Sequence, residues 1–501
     1  MTTSPVRIVT AASLFDGHDA AITVIRRVLQ SRGAEVIHLG HDRSVADVVK
    51  AAVEEDAHGV AVSSYQGGHV EYFGYLVDQL REQGSCARVF GGGGGVIVPS
   101  EIDELAAKGV TVYSPGDGQR LGLQGMADEV IADCREVQQA TLGEPVEALP
   151  QRLPRTITLL GEGVPVSVPH ERPLTLGVTG TGGSGKSSLT DELLLRFRRH
   201  SPQLSIAVLA VDPTARRGGA LLGDRIRMNA LDGVYFRSLA TRGATGGIPR
   251  GLDDMVRACG AAGHDLVIVE TPGMGQGDAA IADHADAVLY VMTPDYGAAT
   301  QLEKIAALDV ADLVAINKFD RRGADDARRD VARQLIRNRG AFGQSWQSQP
   351  VVGTIASRVG DGGVDELFRR LREVLGDRLA GSREEIPGQA RDDESRGQAS
   401  GPRAIIPPAR ERYLSEVAAI VRDYHLETGR LVAAVRRHDQ VEAVAAMLDD
   451  PSPLDSLRTE QPAAVADLLS QWHAQPEPET FETLSGTHLP KTALPAELET
   501  G

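Results

Sequence analysis

Residues 174–197 read LTLGVTGTGGSGKSSLTDELLLRF: a hydrophobic strand, a glycine loop and a helix. Within it Gly180-x-x-x-x-Gly185-Lys186-Ser187 has the spacing of a phosphate loop in its required context. Gly180, Gly182, Gly183, Ser184 and Gly185 let successive backbone N–H groups turn inward around phosphate oxygens, and the following helix adds its positive dipole end. Lys186 then reaches the β and γ phosphates and Ser187 offers a hydroxyl to magnesium. Asn317-Lys318-Phe319-Asp320 follows the apolar run LVAI. A carboxylate at Asp320 accepts from two guanine N–H groups, whereas adenine would leave it buried and unpaired, so the nucleotide is expected to be GTP. Residues 354–357 (TIAS) are a second candidate guanine contact.

Magnesium needs further hard oxygen ligands. Asp212 closes the run IAVLAV, and Glu270 closes LVIVE just before Thr271-Pro272-Gly273. Carboxylates at strand carboxyl ends face the ligand crevice of a doubly wound sheet. The expected magnesium set is therefore Ser187, Asp212, Asp224, Glu270 and Thr271, with Arg227 near the phosphates. Lys186, Glu270 and Gln276 are the expected catalytic groups. Gln276, Glu270 and Asp278 compete for positioning the attacking water. Arg242, in ATRGATGG, either supplies charge to the transition state or holds a loop. The glycine-rich loops 218–223 and 273–278 are expected to move with the γ-phosphate, as switches do.

A different pattern stands near the N-terminus. Phe15-Asp16-Gly17-His18 follows a strand; a carboxylate two residues before a histidine can fix its tautomer and leave one ring nitrogen for a metal. Ser63-Ser64-Tyr65-Gln66-Gly67-Gly68 comes one strand–helix–strand unit later, and five glycines, 91–95, follow a further strand.

Positioning these groups requires strands that alternate with helices. Over residues 6–113 the expected strands are 6–12, 35–39, 59–63, 88–91 and 110–113, with helices 20–32, 45–55 and 70–83 between them. That alternation predicts a five-stranded parallel sheet covered on both faces. A second α/β pattern has strands at 174–178, 206–211, 266–270, 287–292, 313–317 and 351–354. The expected divisions are 1–135, a proline-punctuated connector 136–172, 173–380, a polar disordered linker 381–406, and a helical linker with a tail over 407–501. The formal charge of −17 argues against a nucleic-acid surface. Three dispersed cysteines form no disulfide framework or thiolate metal site. With neither a signal-peptide core nor a membrane span, the expected address is cytoplasmic.

The N-terminal pattern resembles a cobalamin-binding domain, whose family motifs DxHxxG, SxL and GG recur at these spacings. Ala21 replaces the usual glycine and Tyr65 the usual leucine. By that resemblance His18 is the lower cobalt ligand supported by Asp16, Ser63 hydrogen-bonds the displaced benzimidazole tail, and Gly92 and Gly93 leave room for it. With the GTP site added, residues 6–488 outside the linker resemble the fused isobutyryl-CoA mutase family. The resemblance implies an α/β chain: a flavodoxin-like parallel-sheet cobalamin domain, a P-loop GTPase α/β domain acting as a G-protein chaperone, and a helical C-terminal linker region. It implies adenosylcobalamin, GTP and Mg2+ as cofactors, and GTP-gated cofactor loading for acyl-CoA isomerisation. The acyl-CoA barrel is expected on a separate subunit or a missing C-terminal domain, so isomerisation by this chain alone is not expected. The family also suggests a homodimer. A corrinoid carrier serving a methyltransferase is the alternative.

Overall fold

Strands of Val, Ile, Leu and Ala without polar alternation bury both faces, and two such sheets organise this chain. A computed structural model describes residues 4–17, 19–142, 152–215, 218–223, 233–273, 279–296, 305–358, 360–376, 413–448, 452, 480–482 and 488–490.

The first sheet contains β1 (Arg7–Ala12), β2 (Glu35–His38), β3 (Gly59–Ser63), β4 (Arg88–Gly92) and β5 (Val110–Tyr113). Helices α1 (Asp19–Ser31), α2 (Val45–Glu54), α3 (His69–Glu82), α4 (Pro99–Lys108) and α5 (Pro115–Leu142, broken at Gly122) complete this layer. All pairs are parallel, in the order β5-β4-β3-β1-β2, the expected flavodoxin-like arrangement. Every residue of β1 is buried. Val9 and Ala11 pack with Val48, Phe73 and Leu105 on one face, while Val6 and Ile8 pack with Leu29 and Val130 on the other.

The second sheet has the order β13-β12-β11-β6-β10-β7-β9. Its strands are β6 (Leu174–Gly180), β7 (Ile206–Asp212), β9 (Val234–Ala240), β10 (Leu266–Glu270), β11 (Ala287–Met292), β12 (Leu313–Asn317) and β13 (Val351–Thr354). All pairs are parallel. Helix α7 (Lys186–His200) follows β6 and buries Leu189, Leu193 and Phe197 against the sheet.

The sheets and the expected connector differ from the sequence expectation in three elements. β9 was not expected: its run VYFRSLA carries Arg237, a charge that breaks the apolar pattern yet is 1% exposed. The expected connector 136–172 contains helix α6 (Leu153–Gly161), which buries Leu153, Ile157 and Leu160 against helix Leu252–Ala261. The first sheet has six strands, because β8 (Leu221–Leu222), which follows β7 of the second sheet, pairs in parallel with β2. The two sheets accordingly belong to one compact unit, residues 1–385. Residues 386–501 form a second unit, with a helix Tyr413–Ala445 and an antiparallel pair Thr480–Glu482 with His488–Pro490. The expected linker 381–406 lies outside the described residues. No helix among the described residues is long and apolar enough to cross a membrane.

Candidate functional sites

The glycines of the phosphate loop are required by its surroundings. A Cβ on Gly180 (φ +137°) would stand 1.9 Å from the Val291 carbonyl oxygen, and one on Gly185 (φ +90°) 2.5 Å from Asn317 Nδ2. Lys186 Nζ donates to the carbonyls of Gly180 (3.0 Å) and Thr181 (3.3 Å). Thr181 Oγ1 and Ser184 Oγ are buried in the loop without a hydrogen-bond partner. Orphaned hydroxyls beside inward-turned amides suit the oxygens of a phosphate chain.

The guanine motif is joined to this loop. Asn317 Nδ2 donates to the Ser184 carbonyl (2.8 Å) and Lys318 Nζ to the Gly183 carbonyl (2.8 Å). Asn317 Oδ1 accepts from Ala356 N (3.0 Å) and Thr354 Oγ1 (3.3 Å), so residues 354–357 are held beside it. The Phe319 ring covers Gly353, where a Cβ would come within 2.4 Å. Asp320 is left exposed at the mouth. Asn317 and Lys318 thus brace the loop, and Asp320 is the member available to a base.

Glu270 is 3% exposed; its Oε1 accepts from Ser187 Oγ at 2.6 Å and its Oε2 from Thr190 Oγ1 at 3.1 Å. Lys186, Ser187 and Thr190 occupy one side of the first turns of α7, a spacing that could have pointed to Thr190. A buried carboxylate bonded to the phosphate-loop serine, with Asp212 at the end of β7, is a hard-oxygen donor set that fits magnesium. Thr271 Oγ1 is directed to Thr179 Oγ1 (2.7 Å). Gly273 closes over the loop, where a Cβ would meet Lys186 Nζ at 2.6 Å. Asp224, Arg227, Gln276 and Asp278 lie outside the described residues.

Arg242 is drawn to the first sheet. Its Nε donates to Glu35 Oε1 at 2.7 Å and its Nη2 to Oε2 at 3.2 Å. Burial alone would raise the Glu35 carboxyl; Arg242 and Arg7 beside it outweigh that and hold it below the ordinary carboxylate range. Arg7 also binds Glu55, whose carboxylate accepts from Ser238 N and Oγ. Burial, and then Arg7 nearby, lower Arg237 to about 10.

At the carboxyl ends of β3 and β4 lies a cavity of about 480 Å3, lined among others by Ala21, Ser63, Tyr65, Gly92, Gly93 and Ala127. Ser63 Oγ on its wall is buried and has no hydrogen-bond partner. An apolar slot with one orphaned hydroxyl fits a flat heteroaromatic group that presents a polar atom. Asp16 is fully buried and its Oδ2 accepts from Tyr65 N at 2.6 Å, tying the first loop to the second. His18 lies outside the described residues. Two glycines of the run are also required by the protein's own packing. A Cβ on Gly93 would strike the Ser64 carbonyl oxygen at 2.2 Å and one on Gly91 the Phe73 ring at 2.8 Å, whereas one on Gly92 would meet only the Tyr113 carbonyl at 3.9 Å.

His69, at the start of α3, ties the loop after β3 to the first turn of α4. Its Nδ1 lies 3.1 Å from the Gln66 carbonyl and its Nε2 3.0 Å from Glu101 Oε2. Both neighbours are acceptors, which favours hydrogen on both ring nitrogens. Burial alone would lower its pKa; the bonds to Glu101 and Gln66, with Glu71 nearby, raise it. A raised folded pKa contributes stability that is complete below about 6.5 and is lost as pH rises through the folded value. The stability difference between wild type and His69→Gln, from urea midpoints across pH, should therefore be largest in mildly acid solution, where Glu101 is still ionised, and shrink with rising pH. A difference that is flat with pH would show that His69 gains nothing from its Glu101 and Gln66 bonds on protonation.

Residues 6–120 match the B12-binding domain family, and residues 159–393 match the methylmalonyl-CoA mutase-associated GTPase family MeaB. The chain is 55% identical to the fused isobutyryl-CoA mutase of Nocardia farcinica, over 96% of this chain and 45% of that protein. It is 49% identical to the fused isobutyryl-CoA mutase of Cupriavidus metallidurans, over 99% of this chain and 47% of that protein. It thus spans about half the length of these relatives. The solved structure of an LAO/AO transport system kinase aligns with a TM-score of 0.32 at 21% identity, covering 68% of this chain and 92% of that one.

Proposed function

We propose, on the premise that this chain belongs to the fused isobutyryl-CoA mutase family along the length it shares with those proteins, that it is the adenosylcobalamin-binding GTPase component of an acyl-CoA mutase. GTP binding and hydrolysis on the second sheet gate cofactor loading on the first. Acyl-CoA isomerisation takes place on a substrate-binding barrel, whether a separate subunit or further sequence of the same protein. The observation that carries this reading is the pairing, within one compact unit, of a braced phosphate loop with an apolar slot walled by the orphaned Ser63 hydroxyl.

When bound, adenosylcobalamin supplies radical chemistry for carbon-skeleton rearrangement. In this reading His18 is the protein's cobalt ligand, Asp16 orders its loop, Ser63 hydrogen-bonds the tail, and Gly92 and Gly93 border the slot. On the GTPase side Lys186 neutralises phosphate charge, and Ser187, Asp212, Glu270 and Asp224 hold magnesium. Asp320 selects guanine. Because Glu270 is hydrogen-bonded to Ser187, it belongs to the metal side, which leaves Gln276 and Asp278 to position the water.

The test is the visible spectrum and affinity of added adenosylcobalamin with wild type and with His18→Ala. The expected result is a base-off, histidine-bound spectrum in wild type that is absent in the variant. Failure of wild type to bind would end the cobalamin reading.

A further inference from the structure

The GTPase sheet sends one short segment into the neighbouring sheet and brings it straight back to a magnesium carboxylate. After Asp212 the chain turns through Thr214, which bridges Ala220, and Gly219 N donates to the Gln30 carbonyl at 2.7 Å. Val36 N then donates to the Ala220 carbonyl at 2.9 Å, and Leu221 and Leu222 pair with Val36 and Ile37. Ala220 and Leu222 are fully buried in the first sheet's core. Only glycine fits at 219, where a Cβ would lie 1.9 Å from the Ala34 carbonyl oxygen. The segment ends with Gly223 N donating to Asp212 Oδ2 at 3.3 Å.

A second tie runs alongside. Thr241 N donates to the Asp212 carbonyl (3.0 Å), Thr214 N to Thr241 Oγ1 (3.0 Å), and Arg242 N to Thr214 Oγ1 (2.7 Å). The Arg242 guanidinium then closes as a fork on Glu35, which is 1% exposed at the start of β2. Arg242 holds φ +47°, a conformation that a side chain adopts only under local constraint. Both the backbone and the carboxylate of Asp212 are therefore anchored, through a few bonds, to β2 and the turn that precedes it.

We infer that Glu35, a residue of the B12-type domain, is a positioning residue for the magnesium site of the GTPase, acting through Arg242 beside the Ala220–Leu222 seam that Val36 and Ile37 hold. The inference rests on the GTPase reading and adds which residues of the other domain that site depends on. A hard cation tolerates little displacement of its ligands, and loss of an outer partner typically weakens metal binding 10–100-fold.

The experiment uses the full chain with GDP and Mn2+ as the magnesium probe, with bound Mn2+ read by electron paramagnetic resonance. Arg242→Gln, Glu35→Gln and Gly219→Ala should each weaken Mn2+ binding by about tenfold or more. The double variant Glu35→Gln/Arg242→Gln should lose no more than the worse single variant, since one connection is broken twice. Where Glu35→Gln fails to fold, Arg242→Gln, whose side chain is 29% exposed, still decides the matter. Folded variants that bind Mn2+ as wild type does, or additive losses in the double variant, would overturn the inference. A wild type that binds neither GDP nor Mn2+ would instead overturn the GTPase reading beneath it.

Discussion

Replacing Asp320 by asparagine should turn the nucleotide site from guanine to xanthine. Asparagine still accepts from the ring N–H, but its amide donor faces the guanine amino group, whereas xanthine presents a carbonyl there. One charge-assisted hydrogen bond, worth about 1.5–3 kcal/mol, is lost with GTP, which corresponds to roughly 10–10² in affinity, and the remaining one is no longer charge-assisted. The phosphate loop should be unaffected, because Asn317 and Lys318, not Asp320, reach the carbonyls of Ser184 and Gly183. Competition between GTP, XTP and ATP for a labelled nucleotide measures the effect. Unchanged GTP binding in the variant would show that Asp320 does not contact the base.

Ala127→Phe should abolish cobalamin binding and leave GTP hydrolysis in place. Ala127 lines the 480 Å3 cavity and is 2% exposed, so a phenyl ring there occupies the space assigned to the benzimidazole tail. The expected loss is at least about 100-fold in cobalamin affinity, because a filled slot denies the tail both its apolar contacts and Ser63. Filling an apolar void does not cost stability as overpacking a dense core does, so the unfolding midpoint should hold or rise. Spectroscopic titration with adenosylcobalamin checks the first outcome and thermal unfolding the second. Binding equal to wild type would place the tail elsewhere.

Much of both sites was legible because their signals are local. A phosphate loop is a spacing of glycines, lysine and serine along a few residues, and the strand that carries Glu270 and the one that leads into Asp320 announce themselves as short apolar runs. The two elements missed in the compact unit's sheets are those where local pattern and environment disagree. β9 hides a guanidinium, Arg237, that pairs with Thr158 and the Glu54 carbonyl, and β8 is only two residues long. The proline-rich stretch before residue 172 suggested a connector, yet α6 is stabilised by apolar residues packed on helix Leu252–Ala261.

From its sequence alone this chain could be read as a GTP site and a cobalamin-type site on two parallel sheets, since backbone cradles, base recognition and apolar strands are written in neighbouring residues. Only the tertiary structure decided that the glycine-rich segment 218–223 supplies, at Leu221–Leu222, the sixth strand of the other sheet, and that Arg242 closes on a carboxylate 207 positions away. A buried charge takes whichever opposite charge the fold brings within reach, and a two-residue strand exists only where an open sheet edge is presented to it. Neither condition has a period along the chain.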